Sequence, residues 1–234
     1  MIALMGLHWS PFLIAVLLGW ILSVCFHEFC HALVAYWGGD TSVKQRGYLG
    51  LNPAAYIDPL MSIVVPAVVL LMGGMPLPGA AVRIDQSALR NRWWASAVSA
   101  AGPVANLLLF LLFALLLHPD VGLVDYASAN QPNWVRFLGV LTVLQLMAVM
   151  INLLPIPPFD GFGIIEPYLD YETRWKLRRP IVAWAGILIL FFVVFGVDRI
   201  RDAFYGVMMH ITNAMGLPWE TLYGNYNLAF FGSK

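Results

Sequence analysis

Long apolar stretches separated by short polar and aromatic connections set the pattern of this chain. The first begins near Ser10, an N-cap candidate before Pro11, and stops at Gly38-Gly39. No proline interrupts it, so a helix is predicted over 10–38, long enough to cross a bilayer with tilt. A second helix is predicted over 93–117, led in by Arg90, Arg92, Trp93 and Trp94, residues suited to the headgroup level. The run Ala100-Ala101-Gly102-Pro103 within it permits close backbone approach by a neighbour and implies a kink. The third is predicted over 134–157. Pro155, Pro157 and Pro158 cannot sit in regular helix, so the chain unwinds there while still at membrane depth, which requires burial in protein or a cavity wall. A fourth crossing is predicted over 181–197.

The shorter stretches read differently. Residues 60–75 are apolar, carry Pro66 and end at Gly73-Gly74, a length that fits a re-entrant segment rather than a full crossing. Alternation from Val43 to Leu51 suits a short membrane-associated strand, and a second extended stretch is expected over 77–84. Residues 203–215 have interfacial character, and the rest of the tail is rich in Tyr and Asn.

Composition supports a bilayer setting. Of 234 residues, 60% are hydrophobic and 11% charged, where a soluble domain carries about a quarter charged. Mean hydropathy is +0.76. The expectation is an α-helical integral membrane protein forming a single domain over 1–234, with a core at about 10–165 and a C-terminal helix and tail at about 180–234. Zero net charge and the lack of a basic block argue against nucleic-acid binding. The opening residues lack the basic region of a secretory peptide, so the first apolar run is expected to remain as a membrane helix. Cys25 and Cys30 lie five apart on one helix and point in different directions, so they do not pair with each other.

Within the first helix lies Phe26-His27-Glu28-Phe29-Cys30-His31. Positions four apart share a helix face, so His27 and His31 can aim two imidazoles at one point with Glu28 beside them. H-E-x-x-H zinc hydrolases use this arrangement, the histidines holding metal and the carboxylate taking a proton from water. Ionisable groups at this depth in an apolar helix mark a functional site by default. The unwound segment after the third helix makes Asp160 the natural third ligand. For Asp160 to meet the histidines, the first and third helices must run in the same direction, with one crossing between them and 60–75 entering and leaving on one side. That topology puts nine positive charges (Lys44, Arg46, Arg83, Arg90, Arg92, Arg174, Lys176, Arg178 and Arg179) on the side of the site and four on the other. The positive-inside rule makes the nine-charge side cytoplasmic.

Two motifs in this order, His27-Glu28-Phe29-Cys30-His31 and Asn152-x-x-Pro155-x-Pro157-x-x-Asp160-Gly161, resemble the site-2 protease family of intramembrane zinc metalloproteases. Leu51-Asn52-Pro53-x-x-Tyr56-Ile57-Asp58-Pro59 and Ala101-Gly102-Pro103-x-x-Asn106 resemble its compact prokaryotic members, and the likeness spans roughly Gly19 to Gly163. The resemblance implies one zinc ion per chain held by His27, His31 and Asp160, with Glu28 as general base. Asn152 would hold the substrate backbone or stabilise the oxyanion. It further implies cleavage in or near the transmembrane segment of a protein substrate, in a prokaryotic inner or plasma membrane with the site toward the cytoplasm. Tyr56 departs from the His often found at that position, and no PDZ or nucleotide-sensing domain is expected. Strand-like residues at 43–51 or 77–84 would pair with an unwound substrate. A homo-oligomer or larger complex stays open.

Other readings are plainer. His8, His118 and His210 lie near helix ends and need no ligand role; Asp58 and Asp85 suit turns or caps; Glu166 suits a solvated cap. A catalytically silent scaffold is the rival function, opposed by the intact set of His27, Glu28, His31 and Asp160. A transporter would show repeated halves, and none is visible.

Overall fold

The computed structural model describes residues 10–57, 81–121, 123–124 and 131–231. Helix α1 spans Pro11–Gly38, its first turn closed by the Ser10 hydroxyl accepting from the Leu13 amide. It stops at Gly39, whose φ of 121° suits glycine and which lies too close to the Ala88 carbonyl to carry a Cβ. A single-turn helix α2, Ser42–Gln45, follows. Helix α3 runs Arg92–Leu117 with Pro103 inside it, and Asn91 caps it by accepting from the amides of Trp93 and Trp94. Helix α4 spans Asn133–Asn152. Two short helices, α5 at Asp160–Ile165 and α6 at Tyr171–Leu177, lead to α7 at Pro180–Gly196, α8 at Asp198–Ala214 and α9 at Trp219–Phe231.

Three of these, α1, α3 and α4, are long and apolar enough to cross a membrane. Helix α7 has 17 residues; joined to α6 across a 64° bend it makes a fourth candidate span. The expected α-helical membrane architecture is therefore present. Helix α3 packs between α1 and α4 and runs against both. Its residues 98 and 106 meet positions 31 and 27 of α1, and residue 106 also meets Gln145 of α4. The late halves of α1 and α4 thus share one end of the bundle, as the third-ligand argument required. Residues 60–75, expected to be re-entrant, lie outside the described residues.

Two expectations are corrected. The stretch 43–51 is not a strand: it is α2 followed by a turn at Gly47. Asp40, 1% exposed, takes the Ser42 amide and hydroxyl and nucleates that turn of helix. The Tyr56 hydroxyl then donates to the carbonyls of Tyr48 and Gly50 at 2.7 and 2.5 Å, so the loop closes on a side chain rather than on a second strand. Burial pushes that hydroxyl's pKa up, which keeps it a donor. The stretch 77–84 is not a strand where it is described. Residues 81–85 have no regular secondary structure, and the Val82 and Asp85 amides go to the carboxylates of Glu28 and Asp40 instead of a ladder. No strand occurs among the described residues.

Helix α4 ends at Asn152, five residues short of the predicted boundary, because Pro155, Pro157 and Pro158 supply no amides and prevent continuation. The Tyr- and Asn-rich tail proves to be helical. Trp219, Tyr223, Tyr226 and Phe230 recur on one face of α9, with neighbouring ring centroids 5.1, 5.9 and 5.2 Å apart, and bury against α4. Helix α8 is amphipathic, with Met208 and Thr212 turned inward four residues apart.

Asn91→Ala removes the acceptor for two α3 amides. It is expected to cost about 1 kcal/mol and lower the thermal midpoint of detergent-solubilised protein by about 2–4 °C; an unchanged midpoint would show that the α3 start is held by packing alone.

Candidate metal centre

The donors come from two elements, and a third orients them. His27 and His31 project from one face of α1 and are 7% and 5% exposed, and their Nε2 atoms lie 3.0 Å apart. Asp160 enters at the start of α5, with Oδ2 3.2 Å from His27 Nε2 and Oδ1 3.4 Å from His31 Nε2. The other nitrogen of each ring is engaged by α3. The carbonyl of Val98 accepts from His31 Nδ1 at 2.6 Å, and Asn106 Oδ1 accepts from His27 Nδ1. A carbonyl only accepts, so His31 carries its proton on Nδ1 and turns a lone pair inward at Nε2.

Two facing lone pairs beside a carboxylate repel unless a proton or a metal ion lies among them. Tetrahedral zinc with bonds of about 2.0–2.1 Å separates its donors by about 3.3 Å, close to the three spacings seen here. Room for such an ion exists because residue 102 of α3 is glycine. A Cβ there would fall between His31 Nε2 and His27 Nε2, inside van der Waals contact of both. The donor set and the space fit zinc, and a ring nitrogen bonded to a second group is the usual way a metal-binding histidine is oriented.

Glu28, 6% exposed, sits at the edge of this group. Its Oε2 accepts from the Val82 amide at 2.7 Å, while Oε1 lies 4.0 Å from His27 Nε2. One oxygen is anchored by the segment entering from residue 81 and the other faces the donors. Asn152, at the end of α4, lines the same cavity, which holds about 390 Å³ and also exposes Glu28, His27 and Asp160. His27, Glu28, His31, Asn152 and Asp160 therefore line one space.

Several contributors were not singled out for the site. Gly102 and Asn106 belong to a run read for helix packing and resemblance, and Gln145 went unnoticed. Its signal was available: it is the lone amide in Leu141-Thr142-Val143-Leu144-Gln145-Leu146-Met147, an intramembrane polar residue without an evident partner. The Val98 carbonyl and Val82 amide are backbone groups, invisible in residue identity. Glu166, expected as a solvated cap, is 5% exposed and ion-paired to Arg178, which also donates to Gln86 at the cavity wall at 2.6 Å. Asp85 is the cap it was read to be, accepting from the Ser87 amide, whereas Asp58 and His8 lie outside the described residues.

The chain is 40% identical over 181 residues to the protein named "Putative zinc metalloprotease Rip2" of Mycolicibacterium smegmatis, covering 77% of this chain and 67% of that one. It is 35% identical over 232 residues to the protein of the same name from Mycobacterium tuberculosis, covering 97% and 84%. Identity to "Putative zinc metalloprotease YwhC" of Bacillus subtilis is 33% over 175 residues, covering 72% and 74%. The chain belongs to the site-2 protease family of zinc metalloproteases. No family model and no solved structure matches it.

Membership in a zinc metalloprotease family gives the missing side chain at Gly102 a concrete meaning. Gly102→Ala puts a methyl carbon inside van der Waals contact of atoms of both imidazoles, so the rings must shift to admit it. Zinc content of the detergent-purified variant is expected to fall to background, with helical circular dichroism retained. Wild-type zinc content would show that an ion sits elsewhere.

Proposed function

We propose that this protein is an intramembrane metalloprotease that hydrolyses a peptide bond in or near a transmembrane segment of a membrane-protein substrate. The observation that carries the reading is the convergence of His27, His31 and Asp160 at 3.0–3.4 Å within a bundle of membrane-length helices. In this reading His27, His31 and Asp160 hold one zinc ion per chain. Such an ion supplies Lewis acidity, which brings the pKa of water toward about 7 and polarises a carbonyl.

The chain's own groups do the rest. Glu28, its carboxylate held at one oxygen by the Val82 amide, takes the proton from water with the other and returns it to the leaving amine. Asn152 lines the cavity and offers an amide to the developing oxyanion or to the substrate backbone. The proline-broken segment after α4 and residues 81–89 give the cavity walls that are not regular helix. A substrate helix must give up its own hydrogen bonds to present an extended peptide here. The strand-pairing idea is not part of this reading, since the described residues offer no strand edge.

Charge distribution supports a cytoplasm-facing site in a prokaryotic inner or plasma membrane, nine of the thirteen Lys and Arg residues falling on the side where α1 and α4 end. The partners are the lipid bilayer and the transmembrane substrate, with assembly into homo-oligomers left to measurement.

The test is cleavage of a single-span substrate in proteoliposomes, with zinc content measured on the same preparations. Glu28→Gln is expected to keep about one zinc per chain and lose about 10²–10⁴-fold in rate, while Asp160→Ala loses both zinc and cleavage. A Glu28→Gln variant as fast as wild type would remove the base from this mechanism; an Asp160→Ala variant that keeps its zinc would remove the third ligand.

A further inference from the structure

Behind His27 runs a polar chain through three helices. His27 Nδ1 on α1 meets Asn106 Oδ1 on α3, and Asn106 Nδ2 donates to Gln145 Oε1 on α4 at 2.6 Å. Asn106 is 2% exposed and Gln145 fully buried, flanked by the buried Leu144 and Leu146. Gln145 Nε2 has no hydrogen-bond partner among the described residues. Burying an amide with its donor end unmet opposes folding, and a leucine would fill the same space without that penalty. Packing therefore does not account for an amide here, whereas its acceptor does.

The need for an acceptor follows from Asn106. A carboxamide can face His27 with either its oxygen or its amino group, and the two choices place the histidine proton on different nitrogens. With oxygen toward His27, Nδ1 keeps the proton and Nε2 turns a lone pair to the donor cluster. With nitrogen toward His27, Nδ1 must accept, the proton moves to Nε2, and that atom can no longer bind a cation. With Gln145 turned as it is, its Oε1 selects the first state, because a flipped Asn106 would set two amide oxygens against each other and regain a partner only if Gln145 turned over with it. His31 needs no such device, since the Val98 carbonyl fixes its tautomer unaided.

We propose that Gln145 is a positioning residue that, by orienting the Asn106 amide, fixes the His27 tautomer whose Nε2 is free to ligate a metal. This rests on the ligand set of the proposed function. It makes Gln145 act at one remove, on metal affinity, without touching metal or substrate.

The experiment is a zinc-affinity measurement by chelator competition on detergent-purified protein, with thermal midpoints in parallel. Gln145→Leu, and Gln145→Met should the leucine variant fail to fold, are expected to weaken zinc binding by about 10–100-fold. The decisive comparison repeats the substitution in an Asn106→Asp background. A carboxylate presents oxygen to His27 whichever way it turns, so there Gln145→Leu is expected to leave zinc affinity within about 3-fold of Asn106→Asp alone. The same loss in both backgrounds would mean that Gln145 serves packing, and the inference would be wrong. Wild-type affinity in Gln145→Leu would overturn it too, leaving the proposed function standing. A wild-type chain that binds no zinc would overturn the proposed function and this inference together.

Discussion

A polar group buried between membrane-length helices has no water to turn to, and the centre of this molecule is arranged around that constraint. His27 and His31 each need one nitrogen engaged so that the other can point inward. Helix α3 supplies both partners, the Val98 carbonyl for one ring and the Asn106 side chain for the other. Gly102 lies between those two contacts, where α3 comes so near that any side chain would intrude on the imidazoles. The order in which α1, α3 and α4 pack follows from these demands as much as from their apolar faces.

The irregular segments serve the same end. After α4 the prolines stop the helix and let the chain double back, so that Asp160 opens α5 against the histidines. Across the cavity, residues 81–89 are secured at several points. Val82 donates to Glu28, Asp85 to Asp40, and Gln86 accepts from Arg178, which is itself paired with Glu166. One of these ties ends on the carboxylate assigned as base. The geometry of Glu28 is thus coupled to a non-helical segment whose other anchors sit at the end of α1 and beyond α5, a wider support than H-E-x-x-H by itself provides.

Helix boundaries at 10–38 and 93–117 were legible because hydrophobic length, the Ser10 cap and Gly38-Gly39 stop of the first, and the basic and Trp lead-in of the second are local signals, and the observed ends differ by a residue at most. The short elements were not. Alternation over 43–51 is a real pattern, but a strand needs a partner, and in this fold Asp40 and Tyr56 take the backbone groups a partner would have taken. The aromatic face of α9 was present at helical spacing in Trp219, Tyr223, Tyr226 and Phe230, yet it becomes a reason for helix only once α4 offers a surface to bury it.

By itself the sequence determined the bilayer setting and three long helices, and offered His27, Glu28, His31 and Asp160 as candidates and, through the family resemblance, Asn152, since composition, periodicity and motif spacing are properties of the chain alone. Tertiary structure alone decided which atoms face which. The Nδ1 partners of the two rings, the space left by Gly102, the Val82 amide on Glu28 and the Asn106–Gln145 link all join residues tens of positions apart, and two of them use backbone groups that do not depend on the side chain. Local patterns specify elements; long-range approach of particular donors and acceptors specifies a site.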